Sequence, residues 1–566
     1  MVSYILLDSA PFCRAEHVGR SYVKNLYHHR WLLVIWACFI VRGIFYCSVW
    51  PLWEGFDEWA HFGVAQEMST TGRAIIDRSA PLSKEINASL ELAPLPRGMT
   101  DIPRQGVTRE AYWELPLQER VRREETLQHV PTDWAGQYVV DGLPAYEASQ
   151  PPLYYWLIAV PLHALRHTAL VERVWFIRLI TLAFGSLAIP IGFVLAERVF
   201  QNEGVALGVT ALVAVLPGMA INMARVSNES LGILVFSALL LATCVWIDRP
   251  QTYSRTIAVG VTLGLGLLTK AYFLTAIPAL AVICLWLILR NRNNRRAQAV
   301  HVALMFAIAI GIGGWWYLRN YFQTQTISGL DEALMLNGVG LGQKVQAAFH
   351  VHWKAAIDTL LLSHFWYAGW SAPALRNSIY RDLYWLAAVA AFGCAVSIRN
   401  SRNSKQVCLG TFYGFFWAGL AYQIVMLFLS KSSSTALGGW YLYSTVWAEA
   451  ILFIAGFFAL FPRRLHAAVL TALTVGFAGL DLYGVHFVAL PYYAQANGLQ
   501  SLDVSRLLIN KPHFFGVVWL FSIWVLYVLA TCATVVSGNR ALLAERASVR
   551  LPEHGTSTIP SPMGQV

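Results

Sequence analysis

The sequence predicts an all-α polytopic membrane protein, and three observations carry that prediction. Of 566 residues, 56% are hydrophobic and 13% charged, against a charged share of ~25% in soluble domains. Apolar runs of about 20 residues recur along the chain, the length a helix needs to cross a hydrocarbon core of ~30 Å. The ~10-residue alternating segments that build a transmembrane β-barrel are not visible. The net charge of +10 would point to nucleic acid in a soluble protein. Here the excess Lys and Arg sits in short loops, so it reads as topology and no nucleic-acid partner is expected. The eight Cys (13, 38, 47, 244, 284, 394, 408 and 532) show neither metal spacing nor a disulfide framework and read as small buried hydrophobes.

Spans are expected at 31–50, 174–197, 204–221, 229–247, 255–270, 273–290, 298–320, 382–398, 407–430, 441–461, 465–488 and 513–536, a bundle of about twelve helices, with eleven to thirteen as the range. Residues 1–30 are polar and basic and lack a cleavage site, so the first span is expected to be retained. The stretch 152–168 is apolar but short and broken by Pro161. If it lies in the interface without crossing, the basic clusters all fall on the cytosolic side: Arg14 to Arg30, Arg198, Arg249 and Arg255, Arg290 to Arg296, Arg399 to Lys405, Arg463 and Arg464, and Arg540 to Arg550. That is what the positive-inside rule requires, and it sets both termini in the cytosol. The organisation expected is a cytosolic segment 1–30, a transmembrane module 31–320 with an outer loop 51–173, a second outer loop 321–381, a transmembrane module 382–536 and a cytosolic tail 537–566. The middle of the first loop, about 78–145, reads as an irregular lobe with a short helix near 109–128. The tail's end, 551–566, is polar and rich in breakers and is expected to be disordered. The location expected is a bacterial inner (plasma) membrane, with the outer loops facing the periplasm or exterior.

The stretch 51–72, PLWEGFDEWAHFGVAQEMSTTG, follows the first span directly and sets two carboxylates and a histidine at a membrane lip. Phe56 to Thr71 is predicted to be an amphipathic interfacial helix closed by Gly72, with Trp59, Phe62, Ala65 and Met68 towards lipid or core. Asp57 and His61, four apart, share a face, and Glu58 sits one step round. The plainer reading is a helix start, with Asp57 as cap and Glu58 complementing the dipole. A divalent cation on Asp57, Glu58 and His61 is a further option, without other ligands to specify it. A second string, Glu147-Ala-Ser-Gln150-Pro-Pro-Leu-Tyr-Tyr-Trp156, re-enters the interface with the chain fixed by two prolines and anchored by aromatics.

An Asp-Glu pair after the first span, a large outer loop and a Gln-Pro-Pro-Leu-Tyr-Tyr string resemble the GT-C superfamily, polytopic glycosyltransferases that use polyprenyl-phosphate sugars. Protein O-mannosyltransferases and lipid A aminoarabinose transferases belong to it. Further matches follow in order: Arg178-Leu179, Pro217, Arg225 with Ser227-Asn228-Glu229, Gly264 to Lys270, Arg319-Asn320, and His364-Phe365-Trp366 with Gly369-Trp370, the last resembling a less characterised bacterial branch. The resemblance covers about 31–370. It departs at one place: the aminoarabinose transferases carry Glu-Lys before the double proline, where this chain has Ser149-Gln150, so the charge that helps hold the donor phosphate is missing there.

The expected topology puts Asp57, Gln150, Arg225, Asn228, Lys270, Arg319 and His364 on the outer face. Individually, Arg225 and Arg319 read equally well as snorkelling anchors and Asn228 as a helix cap. Lys270 is harder to dismiss, because a charge at mid-membrane costs ~2.5–3.5 kcal/mol. The resemblance implies an inverting transfer from a polyprenyl-phosphate sugar to a lipid, protein or polysaccharide hydroxyl. A phosphate leaves without a proton, so one carboxylate suffices where a glycosidase needs two. Asp57 is the candidate base, taking the acceptor proton late because a carboxylate of pKa ~4 cannot ionise an alcohol beforehand. Glu58 supports it. His61, Gln150, Asn228, Glu229 and His364 position donor or acceptor, and Arg225, Lys270 and Arg319 face the phosphate. The competing classes are a transporter or flippase for lipid-linked sugars, which predicts inverted repeats and midplane charges, and a non-catalytic scaffold of the same fold.

Overall fold

The computed structural model describes residues 11–99, 105–139, 142–290, 294–400 and 403–550. The expected disorder of 551–566 lies outside them, as do Arg292 and Arg402 of the basic loops. Among the described residues ten helices are long and apolar enough to cross a membrane, or eleven if a bent pair counts as one span. Backbone N–H and C=O groups find no water in hydrocarbon, so apolar runs of this length must close their hydrogen bonds within the segment. The bent pair is the expected span 204–221. Glu203–Val215 and Pro217–Met223 meet at 62°, because Pro217 lacks the N–H and its ring displaces the carbonyl four residues back. The expected span 255–270 is the helix Tyr253–Leu267, whose 15 residues fall short of a full crossing.

The first span packs against the last, Val517–Arg550, and against Glu203–Val215. A buried charge network pins these together: Arg42 donates to Asp481 at 2.6 Å and to the Ala214 carbonyl, and the Tyr46 and Tyr527 hydroxyls donate to the same carboxylate. A paired charge inside the bundle fixes which helices meet more than it adds stability.

The segment 51–173 is more ordered than expected. It holds helices Glu58–Thr71, Lys84–Leu92, Arg109–Glu114, Leu117–Gln128 and Leu153–Ala164, and a two-residue parallel pairing of Pro94–Leu95 with Val107–Thr108. The helix expected near 109–128 is split in two at Leu115–Pro116, since the residue before a proline avoids the helical region. Leu153–Ala164 has 12 residues, about 18 Å at ~1.5 Å per residue, too short to cross. Helix Glu58–Thr71 does end at Gly72, with φ 69° and its N–H on the Met68 carbonyl. It is not one-sided, however: every residue from Glu58 to Met68 is buried. Its polar face is covered by the loop itself, where Ser83 and Glu85 hold Gln66 and Tyr138 holds Glu67.

The segment 321–381 is clamped to the segment 51–173 by Glu54. Its carboxylate accepts from the Ser371 N–H and hydroxyl, both at 2.8 Å, and its carbonyl accepts from Trp370 N–H at 3.1 Å. A Cβ at Gly369 would stand 2.5 Å from that carbonyl, so the close approach requires glycine.

Candidate active site

The chain turns sharply between the first span and helix Glu58–Thr71, and Asp57 carries the turn in the left-handed region at φ 54°. That conformation is uncommon outside glycine and costs of order 1 kcal/mol. The Asp57 side chain does not cap the helix. It accepts a hydrogen bond from the Tyr146 hydroxyl at 2.6 Å. Although the carboxyl is partly open, the protein packed around it desolvates it and raises its pKa above the usual range. The Tyr146 hydrogen bond and the charges of Arg225 and Lys270 work against that rise.

Glu58, the next residue, points elsewhere. Arg178 grips its two oxygens at 2.7 and 2.5 Å, and the Val226 N–H donates to one of them at 3.0 Å. Arg178 spends its remaining donors on the carbonyls of Cys47, Trp50 and Pro51. This fully satisfied fork joins the end of the first span to the helix Leu170–Ser186 and the 224–228 turn.

His61 reaches Tyr155 rather than Asp57. Its Nδ1 lies 2.8 Å from the Tyr155 hydroxyl and 3.5 Å from the Glu147 carboxyl. Burial, then the charges of Lys270 and Arg225, push its pKa well below the ordinary value, so the imidazole is neutral. Burial, then the neighbouring Asp57 charge, raise Glu147 to about 8. Its Oε2 has no hydrogen-bond partner among the described residues. Glu147 and Tyr146 arrive on the short turn Tyr146–Ser149, just before the double proline. Neither carried a role in the sequence reading, although Glu147 opens the string already singled out; a carboxylate re-entering an apolar interface was the available signal.

The cationic side is built from two turns. Lys270 donates to Asn228 Oδ1 at 2.8 Å and pairs with Glu229. Leu153 N–H donates to the Leu268 carbonyl at 2.9 Å, tying the Gln-Pro-Pro string to the Lys270 turn. Arg225 donates to the Phe56 carbonyl at 3.4 Å and to Asn222 at 2.8 Å, and its guanidinium lies 4.8 Å from the centre of the Phe56 ring. Among the described residues no carboxylate stands within ion-pair distance of Arg225, and its Nε has no partner. Burial lowers its pKa. A buried cation without a counter-ion is costly unless an anion joins it.

Gln150, Lys270 and Tyr441 line a cavity of about 240 Å³ whose other walls include Leu274, Phe416 and Leu420. Gln150 Oε1 has no partner among the described residues. Two expected members stand apart. Arg319 lies over Trp316 at 4.9 Å and donates to Asn320. His364 pairs with Glu449 at 2.9 Å and lines a different cavity. As possible metal ligands, Asp57, Glu58 and His61 do not converge, and among the described residues no group of three His, Cys, Asp or Glu side chains is placed to hold an ion.

Residues 149–317 match the model of the dolichyl-phosphate-mannose-protein mannosyltransferase family. The expected resemblance to GT-C membrane glycosyltransferases is borne out by that match, which spans Gln150, Arg225, Asn228, Glu229 and Lys270. Among curated proteins none matches the chain. Similar solved structures include apo ArnT from Cupriavidus metallidurans, with a TM-score of 0.46 and 16% identity over 94% of this chain and 79% of that one. ArnT bound to undecaprenyl phosphate gives the same score and identity over 91% and 78%. The oligosaccharyltransferase AglB from Archaeoglobus fulgidus, in complex with an inhibitory peptide and a dolichol-phosphate, scores 0.44 at 13% identity over 92% of this chain and 56% of that one.

Proposed function

We propose that the chain is an inverting glycosyltransferase that moves a sugar from a polyprenyl-phosphate donor to an acceptor hydroxyl at the outer face of the membrane. One observation carries this reading: a single partly open carboxylate, Asp57, faces two buried cations, Arg225 and Lys270, beside an apolar cavity. Each part matches one requirement of the chemistry. The hydrocarbon tail of the donor needs apolar walls between helices, which the Lys270 cavity offers. The departing phosphate gains charge and needs donors that are already in place; Arg225, which has no carboxylate partner among the described residues, and Lys270, held by Asn228 and Glu229, supply them. The acceptor hydroxyl loses its proton as the bond to C1 forms, and Asp57 takes it. The raised pKa of Asp57 brings it closer to working pH and makes it a stronger base than an exposed aspartate.

Glu147 and His61 are both neutral at pH 7 and hold the acceptor side without adding charge. Gln150 donates to the donor where its relatives bring a lysine. Glu58 acts as the frame. Attack opposite the leaving phosphate gives inversion at C1, and the distribution of basic loops supports a site outside the cytosol. The test is incubation of purified protein with a panel of polyprenyl-phosphate sugars, following release of polyprenyl phosphate. The proposal expects release from at least one donor, lost in Asp57→Asn. Transport of the intact donor across the bilayer without release would replace it with a flippase.

A further inference from the structure

A second cavity lies on the other side of the short helix Gly439–Thr445 from Lys270. Tyr441 lines the Lys270 cavity and Tyr443, two residues on, lines the second. The walls of the second are apolar side chains of the helical bundle, among them Leu212, Ala387, Ala390, Phe453 and Phe477. One wall is the helix Asn377–Asn400, of which only Tyr380, Ala390 and Gly393 are buried, so the cavity borders the lipid. Its ionisable lining is His364, Tyr443 and Glu449.

His364 Nε2 is 2.9 Å from Glu449 Oε1, and the Tyr443 hydroxyl spends its hydrogen on the His364 carbonyl at 2.6 Å. The Tyr413 hydroxyl also turns towards Glu449. His364 Nδ1 and Glu449 Oε2 are buried without a hydrogen-bond partner among the described residues. The His364 side chain is 7% exposed. A buried polar atom left unpaired among apolar walls is costly, and such an atom is kept for a partner.

The chemistry of the pair selects the partner. With a neutral imidazole, Nδ1 and Oε2 are both acceptors; with an imidazolium, a donor stands beside an acceptor. A hydroxyl, which donates once and accepts twice, meets both atoms in the second arrangement and one of the two acceptors in the first. A charged headgroup would be stranded among the apolar walls, which suit a hydrocarbon chain. We infer that this cavity is a second lipid site, separate from the Lys270 cavity, for a membrane lipid whose chain ends in a neutral hydroxyl headgroup held by His364 and Glu449. It stands independently of the glycosyl-transfer reading.

The test uses the full chain in lipid nanodiscs and a long-chain alcohol carrying a photoreactive diazirine, with crosslinks mapped by mass spectrometry. Crosslinks are expected in residues 386–390 and 446–457, with unlabelled alcohol competing at least tenfold better than the alkane of equal length. His364→Leu, which removes the polar partner, should lower labelling at least tenfold. Ala387→Trp, which fills the cavity from its lipid rim and leaves the polar pair intact, should do the same. Lys270→Met should leave labelling there unchanged. Crosslinks absent from both segments, equal competition by the alkane, or full labelling of a folded His364→Leu protein would each overturn the inference.

Discussion

Asp57 and Glu58 are neighbours in the chain and belong to two different regions. Around Glu58 the buried charges are saturated: Arg178 fills both carboxylate oxygens and three backbone carbonyls, and Lys511 donates to the Val49 and Trp50 carbonyls beside them. Around Asp57 pairing is incomplete. Glu147 Oε2, Gln150 Oε1 and Arg225 Nε have no partners among the described residues, and Asp57 itself holds a strained backbone. Burial of charge is common to both regions and so does not mark function. Unfinished pairing around a partly open carboxylate separates the two, and it is the feature an incoming ligand would complete.

The largest effect expected is on turnover. Asp57→Asn keeps the shape and the Tyr146 contact but removes the base, and should lower transfer ~10²–10⁴-fold with little change in thermal unfolding. Glu58→Gln should do the reverse. It leaves Arg178 buried without its carboxylate, a loss of ~3–5 kcal/mol, read as a lower unfolding midpoint in detergent. Glu58→Gln with Arg178→Met should recover part of that loss, since the stranded charge is gone. A folded Glu58→Gln protein as inactive as Asp57→Asn would erase the distinction between the two regions. Lys270→Met comes next: a charge-assisted hydrogen bond is worth ~1.5–3 kcal/mol, so the donor KM should rise about tenfold to a hundredfold. Adding Glu229→Gln removes the carboxylate left unpaired and should restore stability without restoring donor affinity.

Glu147 supplies a pH test of smaller size. Its carboxyl titrates at about 8 in the folded chain against an ordinary 4.5. Between those values the folded protein keeps a proton that the unfolded chain has lost. Stability should therefore fall as pH rises through this window, by at most ~1.4 kcal/mol per pH unit. Glu147→Gln should flatten that slope, which unfolding midpoints at pH 6, 7 and 8 would measure. An unchanged slope would return Glu147 to the saturated region.

Much of this was legible in the residues. Apolar length gave most of the spans, and the shortness of 152–168 matches the 12-residue helix Leu153–Ala164. A lysine in an apolar hairpin and a Ser-Asn-Glu turn named a cluster that the structure closes through Lys270, Asn228 and Glu229. What pairs with what was harder to read. Position at the end of a span says nothing about direction around the bundle, which is why Arg319 and His364 fall away from the Lys270 cluster. Helical spacing put His61 beside Asp57, but the left-handed turn at Asp57 lies outside the helix and carries its side chain to Tyr146. The partner of Glu58 stands 120 residues along the chain, beyond any local pattern. The helix Glu58–Thr71 looked one-sided because the segments that bury its other face, near 83–85 and 138, are themselves polar.

Arg319 gives the smallest effect and the sharpest boundary. Sequence order placed it with the phosphate-binding cations, and the resemblance favours that role. In the fold its guanidinium rests on Trp316 and Asn320, is partly exposed, and faces Asp77 rather than Asp57. A cation in water gains little from any one partner. Arg319→Ala should therefore leave donor KM and turnover within about twofold of the parent, where Lys270→Met changes KM by a decade or more. If Arg319→Ala instead matched Lys270→Met, the phosphate would extend beyond the Lys270 cavity towards the 315–324 helix, and the unfinished region would be wider than the unpaired atoms around Asp57 mark out.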